Sequence, residues 1–185
     1  MRGATKLLFI LLYLSSIVAA NVVTASFGPI AFGPLLVPAG TFLIGATFVL
    51  RDFVQRAIGR GATYATIAVA LVLSATVSFL LRDPLWIVFA SAVTFAVSET
   101  ADTELYTRLK LPMGRRVLYS GAVGGTLDSA LFVLIGLSPI GAGFVPWEAV
   151  GLAIVGQIVV KLAMQAIGAG AVGLAYAGRE RETSV

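Results

Sequence analysis

The chain has 185 residues, of which 58% are hydrophobic and only 12% are charged, and its mean hydropathy is +0.98. Soluble domains are about 45–50% apolar, so this composition excludes an ordinary water-soluble globule and indicates a bilayer protein, despite a net charge of +4. The sequence contains no Cys and no His, which excludes disulfides, thiolate chemistry and imidazole-based metal or proton sites.

Apolar segments separated by turn-forming residues predict an all-α integral membrane protein, with a bundle of six transmembrane helices in a single domain over residues 1–185. The charge-free run from Leu7 to Leu50 is too long for one helix, since about 20 residues span the hydrocarbon core. Gly28-Pro29, Gly33-Pro34 and Pro38-Ala39-Gly40 divide this run. We therefore predict helices at about residues 7–26, 39–56, 62–81, 85–106, 117–137 and 147–175.

The basic residues orient these helices. With a cytoplasmic N-terminus, the outer face carries only Arg82, and the inner face carries eleven basic residues: Arg2, Lys6, Arg51, Arg56, Arg60, Arg108, Lys110, Arg115, Arg116, Arg179 and Arg181. This asymmetry satisfies the positive-inside rule and predicts that both termini are cytoplasmic. A cleavable signal peptide ending near residues 23–26 is an alternative for the first helix, but we favour a retained helix because cleavage would leave five spans.

Helix six carries a polar stripe near the membrane centre. Gln157, Lys161 and Gln165 recur at intervals of four and therefore stack on one face. Lys161 lies too deep to reach either surface, and an ionisable side chain at that depth is a functional candidate. Asp128, near the middle of helix five, is its natural partner. A salt bridge that only clamps two helices is the structural alternative, and both roles are compatible.

Carboxylates also mark the inner halves of helices four and two. Glu99 and Asp102 lie three residues apart on one side of helix four, so they can share a proton. The alternative is that this end of the helix simply emerges into water. Asp52 and Arg56 end helix two, where we expect more exposure and assign them to a cytoplasmic gate or to a structural boundary.

Asn21 is the candidate from helix one, although a buried Asn often bonds between helices without touching a ligand. We predict a substrate-binding site near the membrane centre, with Asp128 and Lys161 first in importance. Its predicted residues are Asp128, Lys161, Asp102, Glu99, Gln157 and Asn21. The sequence has no metal-ligand cluster and no Gly-rich phosphate motif, so we expect neither a metal nor a cofactor.

Taken in order, these residues resemble the VUT family of small six-helix membrane proteins, the queuosine precursor transporters, formerly called putative vitamin uptake transporters. The resembling segments are Ala20-Asn21, Val37–Arg56, Glu99–Arg108, Gly124–Ser129 and Lys161. By that resemblance, family members carry the same residue types at six positions: Asn21, Asp52, Arg56, Asp102, Asp128 and Lys161. The chain departs from the family at Gly125, where we expect Asn, and at Gln157, where some relatives have an acid.

The resemblance implies import of 7-deazaguanine bases, such as 7-cyano-7-deazaguanine, across the cytoplasmic (inner) membrane of a prokaryote, and no enzymatic activity. The two adjacent N–H groups of such a base suit a carboxylate, and its carbonyl suits Lys161 or a Gln. Phe and Tyr rings can stack on the flat ring. The expected partners are a purine-like base and the lipid bilayer, with no nucleic acid. The oligomeric state stays open.

Three other functions compete with this interpretation. A substrate-binding subunit of an energy-coupling-factor vitamin transporter is also small and would need a separate ATPase module. An intramembrane enzyme could use the paired carboxylates, but no nucleophile elbow or metal cluster accompanies them. A purely structural role ranks last, because it leaves the charges at membrane depth unexplained.

Overall fold

The computed structural model describes residues 3–27 and 29–182, and the side chains of all of these except residue 36 and residues 174–182. The roles expected of Arg2 and Gly28, and of the side chains of Arg179 and Arg181, lie outside the described residues.

Six α-helices dominate the described chain, which confirms the all-α fold class. They are α1 (Gly3–Ser26), α2 (Thr41–Ile58), α3 (Arg60–Leu80), α4 (Leu85–Arg108), α5 (Met113–Leu131) and α6 (Trp147–Glu182). The long apolar run is divided by a small antiparallel hairpin, β1 (Ile30–Phe32) and β2 (Leu35–Val37). Gly33 adopts a left-handed conformation at its turn, with φ of 57°, which glycine tolerates without steric cost.

Five of the described helices are long and apolar enough to cross a membrane, and α2 differs from them. It is 18 residues long and carries Arg51, Asp52 and Arg56. It also contacts each of the other five helices; nine of its 18 residues are buried, and Arg56 is its one exposed residue. Because α2 is surrounded by protein, it does not need the lipid-facing apolar surface of the outer helices, and it can carry charges into the bundle.

The outer helices present large apolar side chains outward. Leu7, Leu8 and Leu11 of α1 are each more than half exposed, and Val72 and Phe79 of α3 are exposed above 60%. Continuous apolar surface of this kind is unfavourable in water and favourable against lipid tails. The surface therefore agrees with the composition in indicating a multi-pass membrane protein.

Helix α5 does not end at Leu131 but continues as a π-helix, Phe132–Leu137. A π-helix has a wider turn than an α-helix, and such segments are frequent at functional sites. Trp86 Nε1 at the start of α4 donates to the Ile135 carbonyl at 2.7 Å, which satisfies one backbone group of this segment. Sequence periodicity alone did not predict this change of helix type.

Close approach of α5 to α4 and α2 depends on Gly124. A Cβ atom added at this position would lie 2.8 Å from Asp102 Cβ and 3.0 Å from Phe48 Cε1, so a larger residue forces the helices apart. We expect Gly124→Ala to destabilise the protein by about 1–3 kcal/mol, the usual cost of overpacking. The measurement is the temperature at which the detergent-solubilised protein loses its monodisperse peak.

The matched control for this change is Gly151→Ala in α6. A Cβ atom at Gly151 meets no atom within 4 Å among the described residues, and Ala is the better helix former. We expect this variant to be as stable as the parent or more so. Equal melting of the two variants would contradict the assignment of Gly124 as a packing glycine.

Candidate functional site

A cavity of about 260 Å³ enters the bundle from the end that carries the hairpin and the α3–α4 turn, the end predicted to be extracellular. Its mouth is lined by Pro38, Asp83 and Phe144, and its inner wall reaches Asp128 and Lys161. Lys161 lies 14 residues into α6, roughly 21 Å from the start of the helix at about 1.5 Å per residue. The innermost wall is therefore near the centre of the bundle.

The predicted ion pair between helices α5 and α6 is present. Lys161 Nζ lies 2.6 Å from Asp128 Oδ2 and also donates to Ser129 Oγ at 2.9 Å. Ser98 Oγ of α4 donates to the second carboxylate oxygen, Asp128 Oδ1, at 3.2 Å. Lys161 is 2% exposed, so its charge depends on this carboxylate for compensation. The pair joins three helices at the inner end of the cavity.

Two buried polar groups in the cavity wall have no protein partner. Within the described part of the chain, Gln157 Nε2 and Thr94 Oγ1 make no hydrogen bond, although both residues line the cavity. Gln157 Oε1 lies at the outer limit of hydrogen bonding from Lys161 Nζ, at 3.5 Å. Buried polar groups are normally paired, so these two donors are available to a ligand or to water.

Asn21 also lines the cavity, where it connects two helices. Its amide nitrogen donates to Ser74 Oγ at 2.9 Å and to the Ser74 carbonyl at 3.2 Å, which links α1 to α3. The structural alternative for Asn21 therefore has direct support from these bonds. Because Asn21 lines the cavity, it can also contact a substrate, and this contact stays a prediction.

A second buried ionic group, the Arg51 cluster (Arg51, Asp52, Glu99 and Asp102), lies between α2 and α4. Each nitrogen of the guanidinium faces a different carboxylate: Nη1 lies 2.8 Å from Asp52 Oδ1, Nε lies 3.3 Å from Glu99 Oε2, and Nη2 pairs with Asp102 Oδ2. All four side chains are at most 1% exposed. Arg51 also donates to Gln55 Oε1 at 2.7 Å. The planar guanidinium of arginine presents its N–H groups in several fixed directions, which the single ammonium of a lysine cannot do.

The expectation that Arg51 belongs to the cytoplasmic surface is wrong, because its side chain is fully buried. Counting basic residues at helix ends cannot distinguish an interfacial arginine from one that turns into the bundle. The ion pairs with the three carboxylates compensate for its removal from water.

The predicted site residues thus divide between two places. Asp128, Lys161, Gln157 and Asn21 line the cavity. Glu99 and Asp102 belong to the Arg51 cluster and are absent from the cavity wall. Ser98 connects the two groups, since it precedes Glu99 in the chain and bonds to Asp128.

The predicted gate residues also divide between two environments. Asp52 is buried in the Arg51 cluster, whereas Arg56 is exposed and its Nη1 lies 2.8 Å from Met113 Sδ. Arg56 lines a second cavity of about 270 Å³ at the opposite end of the bundle, together with Gln55, Arg60, Tyr106, Thr107 and Arg116. Arg116 stacks on the ring of Tyr106, with 4.6 Å between guanidinium carbon and ring centroid. The Arg51 cluster therefore lies between the two cavities.

Sequence reasoning missed Arg51, Gln55 and Thr94 as members of these groups. Arg51 and Gln55 are four residues apart, the spacing of side chains on one helix face. Thr94 continues a polar stripe on α4 through Ser91, Ser98 and Asp102 at intervals of three and four. Both patterns are visible in the sequence, but an arginine at the end of an apolar run is also the pattern of a membrane boundary.

The described residues contain no group of three or more acidic side chains arranged to hold a metal ion. The three carboxylates of the Arg51 cluster instead surround a guanidinium. Chemically, the arrangement offers a polar cavity with one carboxylate acceptor, free neutral donors and a deeper, sealed ionic group.

Residues 75–175, more than half of the chain, match the family described as putative vitamin uptake transporter. This segment runs from the second half of α3 into α6 and contains Glu99, Asp102, Asp128 and Lys161. No curated protein and no solved structure matches the chain. The match confirms the family resemblance that the ordered motifs indicated and agrees with the membrane-spanning helices. The chain therefore belongs to the putative vitamin uptake transporter family and is a multi-pass membrane protein of that uptake type.

Proposed function

We propose that this protein imports queuosine precursor bases, 7-deazaguanine derivatives such as 7-cyano-7-deazaguanine, across a prokaryotic inner membrane. In this proposal the chain is one transmembrane domain with both termini in the cytoplasm. The cavity is the binding site, reached from the extracellular side, and Asp128, Lys161, Gln157 and Asn21 contact the base. The observation that carries the proposal is a pair of unpartnered buried donors beside a carboxylate at the inner end of the cavity.

The size of the cavity supports a small ligand. Pockets for drug-sized molecules measure about 300–1,000 Å³. A cavity of about 260 Å³ suits a smaller molecule, such as a single bicyclic base without its sugar. Phe95, Phe132 and Phe144 contribute rings to the wall, and stacking of a base on an aromatic ring is worth about 1–3 kcal/mol.

The polar groups of the cavity complement a guanine-like edge. Each oxygen of Asp128 already accepts one hydrogen bond, and a carboxylate oxygen has a second lone pair to accept an N–H group of the base. Gln157 Nε2 and Thr94 Oγ1 can donate to the carbonyl of the base. A site with one acceptor and neighbouring donors distinguishes such a base from an apolar vitamin, which would leave these groups unpaired.

The position of the Arg51 cluster supports alternating access. The cavity on the predicted outer side and the cavity on the predicted inner side are separated by a fully buried ionic group. Transport then requires this group to rearrange so that the base can pass inward. In this proposal Asp102 and Glu99 therefore belong to the Arg51 cluster, which blocks the path inward, and do not line the cavity that holds the base.

Uptake by the purified protein in liposomes tests the function. We expect labelled 7-cyano-7-deazaguanine to enter, competed by the aminomethyl derivative and not by an equal concentration of riboflavin or biotin. Activity without a partner ATPase excludes the energy-coupling-factor alternative. Entry of vitamins but not of deazaguanines would overturn the substrate assignment, and chemical conversion of the base would indicate an enzyme.

A matched pair of glutamines on α6 tests the cavity donors. Gln157→Leu removes the unpartnered amide, and we expect KM for the base to rise several-fold to about tenfold, the effect of one lost hydrogen bond of roughly 0.5–1.5 kcal/mol. Gln165→Leu is the control, because Gln165 is equally buried but lies outside the cavity wall. Equal KM values for the two variants would remove Gln157 from the site.

A further inference from the structure

The Arg51 cluster contains more buried acid than one guanidinium can neutralise. Asp52, Glu99 and Asp102 converge on Arg51, and all four side chains are sealed from solvent. If all three carboxylates were ionised, two negative charges would remain in a low-dielectric interior, which is strongly unfavourable. A proton on one carboxylate removes half of this excess.

Unpartnered atoms mark where the proton can be accommodated. Asp52 Oδ2 and Asp102 Oδ1 have neither an ion pair nor a hydrogen bond within the described residues. The Tyr13 hydroxyl of α1 is also fully buried, and it faces Glu99, to which it can donate a hydrogen bond. The two free carboxylate oxygens lack the donors that ionised carboxylates require, and either can accept a hydrogen bond from the O–H of a protonated neighbour.

Among the three carboxylates, Glu99 makes the weakest ion pair with Arg51. Its distance from the guanidinium, 3.3 Å, is the longest of the three ion pairs. Its charge also interacts with that of Asp128, which lines the cavity. Glu99 is thus the carboxylate that a proton entering through the cavity meets first.

We propose that Glu99 binds a proton that enters with the substrate, so that the protein is a proton-coupled importer. This inference rests on the transport function proposed above. A proton from outside water adds to the Glu99 carboxylate, and the same proton leaves to the cytoplasm when the Arg51 cluster opens inward. Each cycle with a neutral base therefore moves one positive charge inward.

Electrostatics couples the two ligands. Protonation of Glu99 removes the repulsion between its carboxylate and that of Asp128, and the proposal requires the nucleobase to bind more tightly to the protein in this protonated form. By reciprocity, bound base favours the proton on Glu99. The groups facing Glu99 are Tyr13 of α1, Arg51 and Asp52 of α2, Asp102 of α4, Asp128 of α5 and, beyond it, Lys161 of α6. The titratable residues of α3, Arg60 and Tyr64, contact Glu104 instead.

Uptake into liposomes with an imposed pH gradient tests the coupling. With an acidic exterior and potassium with valinomycin to clamp the potential, we expect the base to accumulate inside by up to about tenfold per pH unit, the ratio that one coupled proton allows. When the nucleobase is added to the purified protein in weak buffer, the protein should take up about one proton from the solution per bound nucleobase. A pH-sensitive dye measures this uptake. Accumulation driven by a sodium gradient, or entry that ignores the pH gradient, would overturn the proton proposal while leaving the transport function intact.

The variant Glu99→Gln mimics the protonated side chain. We expect it to lose accumulation and substrate-linked proton uptake but to retain exchange of internal for external base. Glu104→Gln, on the same helix but in a partly exposed pair with Arg60, is the matched control and should accumulate base normally. If Glu99→Gln does not fold, the pH-gradient and dye measurements on the wild-type protein still test whether a proton is coupled to uptake. Absence of any uptake by wild-type protein would instead refute the proposed function.

Discussion

Replacement of Arg51 by leucine is expected to give the largest loss of stability in this protein. The change leaves Asp52, Glu99 and Asp102 buried without their common counter-ion. Removing one partner of a buried ion pair costs about 3–5 kcal/mol, a large part of the stability of most domains. We expect little monodisperse protein after detergent extraction and no measurable uptake of base.

Three further variants show whether charge is the cause. Arg51→Lys keeps the charge but cannot face three carboxylates at once, so we expect a smaller but clear loss of thermal stability. Adding Glu99→Gln and Asp102→Asn to Arg51→Leu removes two of the three uncompensated charges and should restore part of the folded yield. Arg60→Leu, which removes a half-exposed arginine paired with Glu104, is the control and should fold normally. Wild-type yield from Arg51→Leu would show that the cluster does not hold the bundle together.

Replacement of Lys161 by methionine is expected to have the largest effect on transport. Methionine keeps most of the length of the lysine chain but removes the charge that pairs with Asp128. Because Asp128 is 14% exposed at the cavity, water can stabilise its charge when the lysine is absent, and we expect the variant to fold. We expect its uptake of base to be reduced by about 100-fold or more. Initial rates of base uptake per correctly inserted protein provide the measurement.

The double variant separates structure from transport. Asp128→Asn combined with Lys161→Met leaves no unpaired charge, so its melting temperature should return toward that of the parent. Uptake should stay low, because neither the carboxylate acceptor nor the ammonium remains at the inner end of the cavity. Parental uptake by the double variant would reduce the pair to a structural clamp between α5 and α6.

Much of the fold was predictable from composition and local pattern. A chain with so few charges and with long apolar runs has no stable arrangement in water, so membrane insertion follows from its hydropathy. Inserted segments must satisfy their backbone hydrogen bonds internally, which makes them helices. The ion pair of Asp128 with Lys161 was also predictable, since two opposite charges near the middle of adjacent spans have few other partners. The family resemblance depended on ordered motifs, and the match over residues 75–175 confirms it.

The short elements near the cavity were less predictable. The hairpin Ile30–Val37 and the π-helix Phe132–Leu137 both arise in segments that periodicity describes only as a loop and as continuous helix. The hairpin strands pair with each other, whereas one backbone carbonyl of the π-helix accepts from a partner distant in sequence, in the bond from Trp86 to Ile135. Local propensity carries no information about such partners.

Hydropathy and charge placement alone established that this protein is a helical membrane bundle with a lysine and an aspartate at its centre. The assignment of Arg51 to the interior, and of Glu99 and Asp102 to its ion pairs rather than to the cavity, required the packed structure. Sequence spacing specifies which side chains share a helix face, but not the neighbour toward which that face turns. That rotation follows from the packing of α2 against the five other helices, which places the guanidinium beside three carboxylates and away from lipid.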